Sequence, residues 1–184
     1  MSTVKQEVIN QTISWISDFV VDWNICPFAR SVLASNLIRF SVSVADGPPS
    51  LLEDLAFELK KLAETEIKEI ETTLLIHPFV LNDFHQYNDF LDVVDQAILD
   101  ADMSGIIQVA SFHPDYQFAG SHPDAIENFT NRSPYPMLHL LREASVDHAV
   151  ATYPDVEKIP ERNIRTLRER GLPERSQDQV DGRG

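Results

Sequence analysis

Residues 109–143, VASFHPDYQFAGSHPDAIENFTNRSPYPMLHLLRE, decide how the rest of the chain is read. The stretch opens as a buried strand and closes with the pattern of an amphipathic helix. Between the two, residues 112–133 are crowded with His, Asp, Pro and aromatic rings. Structureless segments of such length are uncommon in small domains, where they are either functional or disordered. Disorder fits this one poorly. Phe112, Tyr116, Phe118, Phe129 and Tyr135 would each gain from burial, and Pro114, Pro123, Pro134 and Pro136 lower the entropy lost on ordering. The expectation is a rigid loop packed over the edge of a sheet.

The flanking sequence supplies that sheet. GIIQVASFH (105–113) reads as its third strand, TTLLIH (72–77) as its second, and NLIRFSVSVA (36–45), which alternates apolar and polar residues, as its first. Helices alternate with them. Val4, Val8, Thr12, Trp15, Phe19 and Trp23 mark a first helix over 3–23, with the tryptophans as core anchors. Leu51, Leu55, Leu59 and Leu62 mark a second over 50–66, with Ser50 and Glu53 as a capping box. Phe84, Tyr87, Leu91, Val94 and Ile98 mark a third over 80–102, followed by Gly105. A fourth is expected over 134–151, with Ser133 as cap and Pro134 in its first turn, and a short last one between Pro160 and Gly171. The order α-β-α-β-α-β-loop-α-α predicts an α/β (or α+β) domain over 1–171 with a small, three-stranded parallel sheet. An antiparallel ferredoxin-like sandwich is the alternative. Residues 172–184, almost free of apolar side chains, read as a disordered tail.

The totals bound the function. The chain has 184 residues and a formal net charge of −14, which argues against nucleic acid as a partner. The acidity is concentrated: residues 46–102 hold fourteen acids against three lysines, whereas 158–184 hold seven basic residues against five acids. No basic leader and no apolar run long enough for a membrane span are visible. One cysteine rules out an internal disulfide, and a cytoplasmic location is expected.

In a parallel sheet the carboxyl ends of the strands share one rim, where ligands bind. His77-Pro78 and His113-Pro114-Asp115 would meet there, below the long loop. His113 with Asp115 forms the candidate acid–base pair, since a histidine beside a carboxylate can be held in one tautomer with a near-neutral pKa. Arg132 is the candidate clamp for an anionic small-molecule substrate, because its planar fork grips an oxyanion in two places. Asn131, Ser133 and Tyr116 would add further substrate contacts. His77 is a second histidine for the site. Cys26, preceding Pro27 at the start of a helix and one turn from Arg30, is a candidate nucleophile. The HPD triplet recurs at 122–124, so His113, Asp115 and His122 could instead hold a divalent metal, although their spacing matches no metal signature. Structural readings stand beside each of these. The histidines can bond the loop's own backbone, the aspartates can cap turns, Arg132 can bridge internally and Cys26 can be a buried apolar residue.

CPFAR, TTLLIHP, NDFLD, VASFHPDYQFAG, NRSPYPMLHLLREASV and IPERNI together resemble an uncharacterised bacterial family, a domain of unknown function, over residues 8–170. The resemblance implies a single cytoplasmic domain of this size, and it brings no activity, cofactor or catalytic residue. Two readings follow. One is a small enzyme, a hydrolase or transferase acting on an anionic substrate at the loop. The other is a non-catalytic module that binds a ligand or protein through the loop's aromatic side chains.

Overall fold

Four strands form one mixed sheet in the computed structural model, which describes residues 2–173. They are β1 (Ile38–Val42), β2 (Thr72–Ile76), β3 (Ile107–Phe112) and β4 (Met137–Arg142), side by side in the order β1-β2-β4-β3. β1 pairs parallel to β2, while β4 runs antiparallel to both β2 and β3. The three strands expected from sequence therefore all point the same way, but a reversed fourth strand separates the last two. The β1–β2 ladder is parallel, so the sheet is mixed and not purely antiparallel.

That fourth strand corrects the helix expected over 134–151. Residues 137–142 are sheet, and helix α5 occupies only Glu143–Thr152. The misreading has a physical cause. β4 lies between two strands, Met137, Leu138 and Leu140 are fully buried, and a strand covered on both faces shows no clean alternation. Ser133 caps no helix; its hydroxyl donates to the carbonyl of Tyr135. Pro136 lends its carbonyl to the His77 N–H, which carries the β2–β4 contact one residue past the ladder.

Pleating divides the core into two layers. Leu75, Ile107, Leu138 and Leu140 face Leu51, Leu55, Leu59 and Leu62 of α3 (Pro48–Glu64) and Tyr87, Phe90, Val94 and Ile98 of α4 (Phe84–Asp100). Val42, Leu74, Ile76 and Met137 face Val8 of α1 (Ser2–Trp15) and Ile16 and Val21 of the π-helical turn that continues it, Ile16–Val21. The first helix is thus α-helical over only part of its expected length. α2 (Ala29–Ala34) is short, and α6 (Ile159–Arg170) ends at Gly171, whose positive φ of 87° favours glycine. The capping box at Ser50 does not form. α3 starts two residues earlier at Pro48, with Gly47 as its cap, and Ser50 donates back to the Gly47 carbonyl. α4 begins at Phe84, where the Asp83 side chain accepts the Gln86 N–H. No described helix is long and apolar enough to cross a membrane. The expected tail lies, from residue 174 onward, outside the described residues.

Arg142, the last residue of β4, joins the two ends of the α3–β2 connection. Its guanidinium donates to the carbonyls of Leu62, Thr65 and Ile70, taking up orphan acceptors at the C-terminus of α3. Arg142→Met keeps much of the stem but leaves these carbonyls without their donor. A loss of about 2 kcal/mol is expected, seen as a melting temperature lower by about 4–8 °C in calorimetry. An unchanged transition would show that water serves these acceptors equally well.

Candidate functional site at the sheet rim

The carboxyl ends of β2 and β3 do converge, and Tyr87 is the residue between them. Its phenol donates to the Met137 carbonyl at 2.9 Å and accepts the Phe112 N–H at 3.1 Å, bridging the last residue of β3 and the first of β4. His77 stacks on Tyr87 with ring centroids 5.7 Å apart, and His113 lies 5.1 Å from the same ring. Burial pushes the Tyr87 phenol well above its ordinary pKa, so it acts as a fixed hydroxyl. Phe84 extends the cluster outward, touching Tyr87, His113 and Tyr116, and Tyr116 in turn meets Phe118 edge-on at 5.0 Å. The rings form a continuous path from a fully buried tyrosine to an exposed phenylalanine.

His113 is buried, and both its ring nitrogens are engaged. Nδ1 accepts the Asp115 N–H at 3.0 Å, which places the proton on Nε2, and Nε2 donates to the Leu81 carbonyl at 3.2 Å. Burial lowers its pKa, against the bond to Leu81 and the nearby Asp115 and Asp83 charges. The second HPD triplet folds the same way, with the Asp124 N–H on His122 Nδ1 at 3.2 Å, but His122 is exposed. The repeated triplet is thus one repeated turn. Proline holds the histidine extended, and the imidazole caps the amide two residues on.

The other loop candidates are also tied into the loop. Arg132 donates from Nε to the Tyr116 carbonyl and from Nη2 to the Pro123 carbonyl, with its guanidinium 4.2 Å from the centre of the Phe129 ring. The proposed clamp therefore grips main chain. Asn131 donates to the Ser111 carbonyl, and its own carbonyl accepts the His113 N–H, closing the loop's two ends together. The residue that sequence reading passed over is Asn128. It is fully buried, its Oδ1 accepts from the Phe118 N–H and the Ser121 hydroxyl, and its Nδ2 donates to the carbonyls of His122 and Pro123. No local pattern in the sequence announces a loop hub of this kind.

His77 and Cys26 are different cases. His77 Nδ1 donates to the Val80 carbonyl at 2.9 Å, while Nε2 is buried with no partner among the described residues. Burial pushes its pKa down to about 4, against the Val80 bond, so the ring is neutral. Cys26 lies beside Arg162 of α6 and the N–H groups of Phe28 and Ala29. Burial outweighs all three and raises its pKa, which keeps the sulfur a thiol. α2 starts only at Ala29, so Cys26 is not at the expected cap. Among the described residues no group of three His, Cys, Asp or Glu side chains is placed to hold a metal ion.

Two measurements follow from this geometry. Long-range 1H–15N spectra at neutral pH should show the Nε2–H tautomer at His113 and the Nδ1–H tautomer at His77. The opposite assignments would remove the bonds to Leu81 and Val80. Acid should also destabilise the fold through His77. Its folded pKa of about 4 lies below the unfolded value of 6.5, so its contribution is complete above pH 6.5 and is lost as pH falls towards 4. Between pH 7 and pH 5 this amounts to roughly 2 kcal/mol. In urea titrations over that range, His77→Gln should flatten the decline. A variant with the native slope would place the acid sensitivity elsewhere.

Comparison with known proteins adds the family alone. No curated protein and no solved structure matches the chain. Residues 7–177 match the model of a family described as a protein of unknown function, DUF1415. The model spans nearly all of the described chain, and the protein belongs to this uncharacterised family.

Proposed function

We propose that the rim is a docking surface for a basic, apolar segment of a partner protein, and that the His/Asp/Arg set of the loop builds this surface instead of performing catalysis there. The observation that carries the reading is the use of the polar groups. Both nitrogens of His113, the guanidinium of Arg132 and the amide of Asn131 are engaged with backbone groups, and a general base or substrate clamp would first have to break such bonds. What the loop offers outward is apolar and acidic. Phe118 is exposed at the end of the ring path, Phe79 is exposed on the neighbouring β2–α4 connection, and Asp83, Asp115 and Asp124 are exposed around them. Rigid aromatic side chains give contact area at small entropic cost, which suits recognition. Flanking carboxylates favour a partner carrying lysine or arginine.

The test is a photo-reactive phenylalanine analogue placed at Phe118 and, as a control, at Gln96 on α4, in cells that produce the protein. A discrete adduct is expected from position 118 alone, weakened when Asp83 and Asp115 are replaced by Asn. Equal adducts from both positions, or none from 118, would sink the docking reading.

A further inference from the structure

A second feature lies away from the rim, at the elbow between α5 and α6. The walls of a hollow of about 310 Å3 include Tyr153, Asp155, Lys158, Arg162 and Arg165. Ligand clefts span about 300–1,000 Å3, so the space suits a small molecule. The elbow exists because Asp155 takes a left-handed conformation (φ 57°), reversing the chain into the 3-10 turn Val156–Lys158 that leads into α6. Asp155 and Lys158 pair with each other at 3.0 Å. The charges left on the wall are Arg162, Arg165 and one carboxylate, Glu161, a positive surplus in a chain of net charge −14.

Arg162 is held rigidly. Nη1 donates to the Tyr153 hydroxyl at 2.9 Å, and Nη2 donates to the Asn24 carbonyl and to Asn163 Oδ1. Its Nε is buried and has no acceptor among the described residues. Nη1 keeps a second N–H besides the one on Tyr153, and a fixed guanidinium with such a donor loses little entropy on meeting an oxyanion. Arg165, one turn on, is exposed. The helix end adds little, because Pro160 has no N–H and the Ile159 N–H already donates to Val156. The side chains carry the site.

We infer that this hollow binds a small molecule through an oxyanion, a phosphoryl or carboxylate group, gripped by Arg162 and Arg165. The site is independent of the rim and of any partner that docks there. Its test uses the full chain with 15N-labelled arginine, titrated separately with inorganic phosphate and with succinate. Sodium chloride at matched ionic strength is the control. A saturable shift of the Arg162 Nε–H signal is expected in at least one arm, and the tighter arm assigns the group. Arg165→Gln should weaken that binding at least about fivefold, since charge-assisted bonds are the strong ones, with an unchanged melting temperature because the side chain is exposed. Shifts in both arms that stay linear and match chloride would overturn the assignment. So would saturable binding of equal strength in Arg165→Gln.

Discussion

The hydroxyl of Tyr87 is the constraint on which the rim depends. Phe112 and Met137 are register partners at the open end of the β3–β4 ladder, where a backbone N–H and a carbonyl meet at a buried edge. An unpaired buried group of either kind costs about 1–3 kcal/mol. One phenol answers both, receiving from Phe112 and donating to Met137. Because Tyr87 belongs to α4, the same contact fixes that helix against the strand ends. Its ring then supplies the surface on which His77 and His113 pack. The long loop leaves the sheet from a point that is already rigid, and Asn131 returns it to the same point.

The strand directions, the layered helices and the placing of the loop over the His77 end were legible in the sequence because each follows from periodicity or from connection length. β4 was not. MLHLLR carries an apolar pattern compatible with either period, and only the tertiary position, between β2 and β3, decides in favour of strand. The prolines at 134 and 136 misled for a related reason. Proline suits the first turn of a helix, but it suits equally the extended approach to a strand, where Pro136 gives its carbonyl to His77 and owes no N–H in return. In the loop, the backbone bonds of His113, Asn131 and Arg132 were not legible. A His, an Asp and an Arg in one loop are the same letters whether they face a substrate or satisfy backbone. Asn128 and Tyr87 show the reverse case, with ordinary letters at positions where the fold makes them hubs.

The polar accounting of the loop explains its composition. A chain that leaves the sheet for this long must find partners for each buried N–H and carbonyl without help from a ladder. The two His-Pro-Asp turns supply imidazole acceptors for amides, Asn128 supplies an acceptor and a donor to both arms of the loop, and Arg132 reaches two carbonyls at once. A buried neutral histidine serves this purpose well, since one nitrogen accepts while the other donates. His77 is the exception within the cluster. Its Nε2, without a partner among the described residues, lies on a ring whose other nitrogen is bonded and whose face is stacked on Tyr87.

Charge is distributed so that the two layers of the molecule differ. The outer surfaces of α3 and α4 carry Glu53, Glu64, Asp89, Asp92 and Asp95, while α6, which packs through Leu167 against Phe19 of the π-helical turn on the other side, is rich in arginine. Between these lies the rim, with exposed Asp83, Asp115 and Asp124 beside exposed Phe79 and Phe118. A field of this kind acts over a Debye length of about 8 Å at physiological salt, so it orients an approaching chain more than it holds one. In the proposed docking, holding falls to apolar contact with the exposed Phe79 and Phe118. The loop's internal bonding would suit such docking, because a surface already ordered in the free protein gives up little entropy when it is covered. At the α5–α6 elbow, likewise, Tyr153, Asn24 and Asn163 hold the Arg162 guanidinium in place.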